Sequence, residues 1–243
     1  MPCVPGARCA RIAGSAALAD DAGYRSADGS IFAKGRLFCA VVVEEAMDLS
    51  VRNAKAEDAP KLAELMNLAG EGIPAYLWGR MAGPGEDALA FGARRVARTE
   101  GGFSYTNTYV AEYDGAMAGM LLGYRLPDPY EAGPLDEIPV VVRPLIELEA
   151  LVPGSWYINA VATDTAYRGQ GVGRRLMDWA EHLAAASGAG VLSLIVAEEN
   201  ARARRLYEKL GYQAIARRQI VPFPRCAHTG DWVLMTKEIS PDT

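Results

Sequence analysis

Histidine is nearly absent, with only His182 and His228 in 243 residues. That excludes a histidine-rich metal centre, and a histidine-based triad needs a partner geometry that nothing in the pattern suggests. His182 falls on the charged face of a helical pattern, where it is simply solvated. Cysteine is scarce as well. Cys3, Cys9, Cys39 and Cys226 form no C-x-x-C pair, and three of them stand in a stretch without regular patterning, which argues against a disulfide framework or a zinc site. No apolar run approaches the ~20 residues needed to span a bilayer, the best being Leu37 to Val43. Arg8 and Arg11 followed by Ile12 to Ala19 faintly resemble a signal peptide, but Gly14, Ser15 and the alanines make a weak apolar core. A cytoplasmic protein without a membrane partner is expected. Positive charge is not in excess either. The formal net charge of -5 gives no general pull toward nucleic acid, so any anion site must be local.

Half the residues are apolar and 23% are charged, the composition of a globular protein long enough for one well-buried core. The first 46 residues show sustained periodicity of neither 2 nor 3.6, whereas regular patterning starts at Leu49. Residues 1–46 therefore read as a flexible N-terminal extension and 47–243 as one domain. Met47 sits immediately before the patterned region, which suggests a native start there with the upstream segment as an added extension; a genuine flexible arm is the alternative.

Leu49 to Asn53 reads as a strand, and Lys55 to Ala69 as a helix with Pro60 in its first turn and Gly70 as its stop. Ile73 to Met81 and Glu86 to Arg98 suggest two more helices, separated by Gly83-Pro84-Gly85. Tyr105 to Ala111 and Ala116 to Tyr124 flank Asp114-Gly115, the signature of a tight primed hairpin turn. A Pro-rich connection from Arg125 to Gly154 follows, with a short helix expected at Leu145 to Leu151. Trp156 to Thr163 is the next strand, and Gly171 to Ala186 an amphipathic helix ended by Gly188. Val191 to Val196 is a continuous apolar run, as in a strand covered on both faces. Asn200 to Leu210 is a helix capped by Asn200 and stopped at Gly211, and Tyr212 to Val221 and Asp231 to Ile239 are the last strands. This order predicts a mixed sheet with helices on its faces.

Between the strand ending at Thr163 and the helix beginning near Gly171 lies Arg168-Gly169-Gln170-Gly171-Val172-Gly173. A Gly-rich turn that feeds a helix is an anion site: first-turn amides lack internal partners, the helix dipole is positive there, and glycines let the backbone approach phosphate oxygens. Arg168, Arg174 and Arg175 add charge. A Walker-type loop needs Gly-Lys-Ser/Thr, which is missing, and a dinucleotide fingerprint fails because Arg174 stands where its third glycine belongs.

What fits is Arg/Gln-x-x-Gly-x-Gly/Ala, met by Arg168, Gly171 and Gly173, which resembles the acyl-CoA diphosphate motif of the GNAT N-acetyltransferases. Downstream, Asn200 to Tyr212 resembles that family's N-x(5)-L-Y-x(3)-G-Y/F segment. With the patterning from Leu49 to Ile239, the resemblance covers about four-fifths of the chain. It implies an α/β (α+β) fold of the GNAT type: a mixed, mostly antiparallel sheet with a central splayed parallel strand pair and helices on both faces. It also implies acetyl-CoA as cosubstrate, with Val161, Ala162 and Thr163 along the pantetheine, Arg168, Gly169, Gln170, Gly171, Val172 and Gly173 at the diphosphate, and Asn200 bonding the cofactor. A helix N-cap explains Asn200 equally well.

The implied reaction is attack of a neutral primary amine on the thioester in a ternary complex. Tyr207 is the implied acid for the departing sulfur, since a phenol of pKa about 10 is a neutral donor at pH 7; a packing tyrosine is the other reading. The oxyanion donor is expected to be a backbone N-H near Asn159 to Val161. Many relatives carry a glutamate early in the central strand, where this chain reads Ser155-Trp156-Tyr157-Ile158-Asn159. The base must come from elsewhere, with Glu149 first, then Glu147 or Tyr157 through water. The acidic connection, with Tyr76 and Trp78, is expected to shape a pocket for a cationic amine on a small molecule or protein. Exposed strand edges suggest a homodimer. A non-catalytic acyl-CoA sensor or interaction module on the same fold is the rival reading.

Overall fold

A computed structural model of the chain describes residues 49–239. The expected boundary at residues 46 and 47, and the expected start at Met47, lie outside the described residues.

Seven strands form one sheet: β1 (Leu49–Asn53), β2 (Thr108–Tyr113), β3 (Ala116–Arg125), β4 (Trp156–Thr163), β5 (Val191–Ala197), β6 (Gln213–Gln219) and β7 (Asp231–Glu238), in the spatial order β1-β2-β3-β4-β5-β7-β6. Every neighbouring pair is antiparallel except β4 with β5. The hairpin between β2 and β3 turns as its sequence requires, with Asp114 at φ 49° and Gly115 at φ 77°. Among the described residues six α-helices cover the sheet: α1 (Ala59–Ala69), α2 (Ile73–Met81), α3 (Ala88–Val96), α4 (Arg143–Glu149), α5 (Val172–Ala186) and α6 (Ala201–Lys209). The fold class expected from the sequence is the one observed. α4 begins two residues before the expected Leu145, because Pro144 in its first turn is tolerated where no intrahelical N-H bond is due. Among the described residues no helix is long and apolar enough to cross a membrane.

Alternation along the strands sends side chains to both faces of the sheet, and two of the three buried clusters among the described residues receive the even-numbered residues of β4. On one face Leu121, Trp156 and Ile158 pack with Val172, Leu176 and Met177 of α5 and Tyr207 of α6. On the other, Met120, Leu122, Ala160 and Ala162 pack with Leu62 and Met66 of α1 and Val96 of α3. β4 thus changes face in mid-strand. Its even-numbered residues look toward α5 up to Ile158 and toward α1 from Ala160 onward. The cause is a β-bulge: Leu122 pairs with Ala160 and Gly123 with Ile158, leaving Asn159 as one extra residue without a register partner on β3. On the opposite edge, β4 pairs with β5 only from Trp156–Leu192 to Ile158–Leu194. Beyond the bulge the two parallel strands part.

β3 passes close beneath this region because Gly119 has no side chain. A Cβ there would stand 2.6 Å from the Ala162 carbonyl oxygen and 2.9 Å from Val172 Cγ1. A main-chain oxygen cannot step aside cheaply. Gly119→Ala is expected to destabilise the protein by about 1–3 kcal/mol, read as a lowered midpoint in urea unfolding; an unchanged midpoint would show that β3 has room to move.

Candidate functional site

The parting of β4 from β5 opens a cavity of about 660 Å³. Asn159 to Thr163 of β4 and Leu194 to Ala197 of β5 form its walls, and the start of α5 and one face of α6 close its end. The turn into α5 is built in steps. Asp164 accepts a hydrogen bond from the Ala166 amide at 3.0 Å and is held from α1 by Lys61 at 2.7 Å. Gly169 and Gly171 then both take φ 83°, Gly171 serving as the helix N-cap. A Cβ at either position would meet nothing within 4 Å, so glycine is required there by backbone conformation and the space beside it is open. Gly173 is different: its hydrogens lie against Thr163 and Leu206, where a Cβ would come within 3.4 Å of Thr163 Oγ1. Arg168, Gly169, Gly171, Val172, Gly173 and Arg174 all border the cavity, as do Val161, Ala162 and Thr163. Gln170 does not; its amide Nε2 donates to the Ala166 carbonyl at 3.3 Å and braces the turn.

α6 contributes more positive charge than its motif suggests. Arg202, Arg205 and Lys209 border the same cavity, giving a local cationic rim on a chain of net charge -5. Sequence reasoning passed over them. The signal was present, since positions 202, 205 and 209 are spaced i, i+3 and i+7 and so share one helical face. Arg174, by contrast, is engaged by Asp178 one turn on, at 2.9 Å.

Tyr207 is buried at 7% exposure and borders the cavity. Burial, with the nearby Glu71 carboxylate, pushes its phenol well above its ordinary value, so it stays protonated throughout the working pH range. Asn200 caps α6, its Oδ1 accepting from the Ala203 amide at 3.1 Å. Its Nδ2 donates to Glu71 Oε1 at 2.8 Å, while His228 Nε2 lies 3.2 Å from Glu71 Oε2. Glu71 sits at a left-handed φ of 52° in the turn that leads into α2. This knot joins the turn between α1 and α2, the start of α6 and the loop before β7. Neither Glu71 nor His228 was recognisable beforehand, because the partners are 129 and 157 residues from Glu71 with no local spacing rule linking them.

A second cavity, of about 310 Å³, adjoins the first. The two share Ala69, Asn159, Ala160, Ile195 and Trp232, so they meet at the bulge. The indole Nε1-H of Trp232 is buried without a hydrogen-bond partner among the described residues. The walls of the second cavity are mostly apolar, from Met66, Leu77, Trp78, Phe103, Leu145 and Ile146. Glu149, at the end of α4, is 8% exposed and lines it. Tyr130 donates to Glu149 Oε2 at 2.7 Å, and the Tyr157 hydroxyl lies beside the same carboxyl. Burial raises the Glu149 pKa, partly offset by these two hydroxyls. Of the other residues expected around an acceptor, Trp78 is in the wall, Tyr76 stacks instead on Phe223 at 5.4 Å, and Glu147 pairs with Arg218 at 2.7 Å. The acidic character of the connection therefore narrows, at this cavity, to one carboxyl group.

Several solved structures share this architecture. An acetyltransferase crystal structure has 23% identity and a TM-score of 0.55, covering 79% of this chain and 100% of that one. The polyamine N-acetyltransferase of Drosophila melanogaster has 17% identity, the same coverages and a TM-score of 0.55. A mosquito arylalkylamine N-acetyltransferase-like protein has 16% identity, again the same coverages and a TM-score of 0.54. At these identities the likeness establishes the fold. No curated protein sequence matches the chain at a significant level. The sequence model of the acetyltransferase (GNAT) family matches residues 85–212, more than half of the chain and a span that holds the bulged strand, the glycine turn and Tyr207. This chain belongs to the acetyltransferase (GNAT) family.

Proposed function

We propose that the protein transfers an acetyl group from acetyl-CoA, the donor of its family, to a primary amine by direct attack within a ternary complex. The observation that carries this reading is the meeting of two cavities at the β4 bulge, one rimmed by cationic groups and an open glycine turn, the other apolar with a buried carboxyl. The neighbours named for polyamine and arylalkylamine acetylation lend support to an amine as acceptor.

In this reading the amides of Gly169 to Gly173, with Gln170 bracing the turn from behind, and the guanidinium of Arg168 take the diphosphate. The β4 edge from Val161 to Thr163, unpaired toward β5, offers backbone groups to the pantetheine as a neighbouring strand would. Asn200 shapes the wall by capping α6. A main-chain N-H at the bulge, near Asn159 to Val161, stabilises the oxyanion, because an extra residue in a strand aims its peptide out of the ladder. Glu149 receives the amine proton, directly or through one water, and Tyr207 gives a proton to the departing sulfur. A homodimer through the sheet edge belongs to the same proposal: β6 is exposed along most of its length, with Ile215 53% exposed.

Calorimetric titration of acetyl-CoA into the full chain tests the donor site without knowledge of the acceptor. Saturable binding is expected, and the Arg168→Ala, Gly171→Glu double variant, checked for folding, is expected to weaken it by about 100-fold or more, since it removes one charge-assisted contact and sets a carboxylate in a left-handed position at the helix tip. Binding without any amine acetylation would favour a sensor, and loss of binding in the folded wild-type chain would remove the enzyme reading.

A further inference from the structure

The second cavity contains a charge that amine binding does not explain. Arg95, in the last turn of α3, lines it and is only partly exposed. No carboxylate, carbonyl oxygen or aromatic ring among the described residues partners its guanidinium. Its neighbour in sequence shows the ordinary alternative, since Arg94 turns outward, pairs with Glu86 and lies over the Phe91 ring at 5.3 Å. A favourable position at a helix C-terminus is open to both residues, so the helix dipole does not account for the inward placement of Arg95. A guanidinium at a mostly apolar wall is partly stripped of water there, and an anionic group on a ligand would offset that loss.

Arg95 also makes the cavity a poor host for a simple alkylamine. The charged or readily charged groups in its wall are Arg95 and Glu149, with the tyrosines Tyr124 and Tyr157. An ammonium that neutralised Glu149 would leave the guanidinium unpaired in the same small enclosure. A ligand with one positive and one negative end answers both groups, and the remaining wall of Met66, Leu77, Trp78 and Phe103 calls for an apolar body between or beside them. A polyamine would set its second ammonium against these side chains or against Arg95.

We propose that the acceptor is an amino carboxylate with an apolar body, its nitrogen directed to Glu149 and the bulge at Asn159 and its carboxylate held by Arg95. This assignment rests on the second cavity being the acceptor site of an acetyl-CoA-dependent enzyme.

The test uses matched pairs that differ by the carboxylate alone: phenylalanine against phenethylamine, leucine against isopentylamine, and 6-aminohexanoate against pentylamine, each assayed for kcat/KM with acetyl-CoA by release of CoA. At least one amino carboxylate is expected to exceed its partner by about tenfold or more, as a site with a buried polar group discriminates against a ligand that leaves it unpaired. Arg95→Met should bring that ratio close to one, and Arg95→Lys should preserve part of it, each variant having first been shown by thermal unfolding to be folded. Amines without a carboxylate that match or exceed their partners, or a ratio that survives in Arg95→Met, would overturn the assignment. So would inactivity of the whole panel. In that last case acetyl-CoA binding by calorimetry separates the failures: retained binding leaves the donor-site reading standing and removes the amino carboxylate alone, whereas lost binding removes the donor site on which it rests.

Discussion

Glu149→Gln is expected to lower kcat by about 100-fold or more, the usual contribution of a positioned general base, while leaving acetyl-CoA binding nearly unchanged. Glutamine keeps the size and an acceptor oxygen for Tyr130 and Tyr157, so the cavity retains its shape and loses only the capacity to take a proton. The pH dependence separates this role from a structural one. In the wild-type protein the carboxyl titrates above its ordinary range because burial penalises the charge. Activity should therefore rise with pH along a limb displaced above normal carboxylate values, and the variant should lack that limb. The stability slope has the opposite sense. Since the folded-state pKa is raised, the native protein holds the proton more tightly than the unfolded chain, and stability falls as pH climbs from the ordinary carboxylate value through the raised one. Glutamine removes this loss, so the variant should melt no lower than wild type, and higher if anything, at neutral pH, with the two converging in acid. An inactive variant that also melts early would mean that Glu149 holds the fold together.

The second large effect belongs to Tyr207. Tyr207→Phe should reduce kcat by about 100-fold, with acetyl-CoA affinity little altered, because the ring keeps its contact with Tyr212 at a centroid distance of 5.9 Å. Its raised pKa keeps the phenol protonated through the neutral range, so the defect should be constant across neutral pH, unlike that of Glu149. Pre-steady-state measurement of CoA release would locate the loss in the chemical step. A variant with normal kcat and a lowered melting point would make Tyr207 a packing residue.

Most of the fold was legible in the sequence because its punctuation is local. Asp114-Gly115, Gly70, Gly171, Gly188 and Gly211 each start, end or turn an element through a conformation fixed within a few residues. The bounds of β4 and α2 were read correctly, and the parallel pair was implied by the family motif. The glycine turn could be read for the same reason, since an anion site of this kind is contiguous in the chain. The second cavity was only partly visible. Glu149 and Trp78 could be named, but Arg95 lies on a helix whose pattern gives no hint that it faces a cavity, and its meaning depends on α4 lying across from it. Glu147 and Glu149 are alike in sequence and two residues apart, yet one pairs with Arg218 from β6 and the other is buried. Long-range packing decides such cases.

The extra residue at Asn159 has a consequence for how this site can vary. It acts as a half-period phase slip in an otherwise regular strand, and a phase slip cannot be removed gradually. Substitutions along β4 change what the strand presents on either face but leave the two halves out of step; only deletion or insertion would restore the rhythm. The main-chain path of the strand is thereby insulated from substitutions within β4, while the second cavity beside it is lined by replaceable side chains. Under the proposed function, such a division would let the acceptor change by ordinary drift without rebuilding the place where the acyl group is handed over.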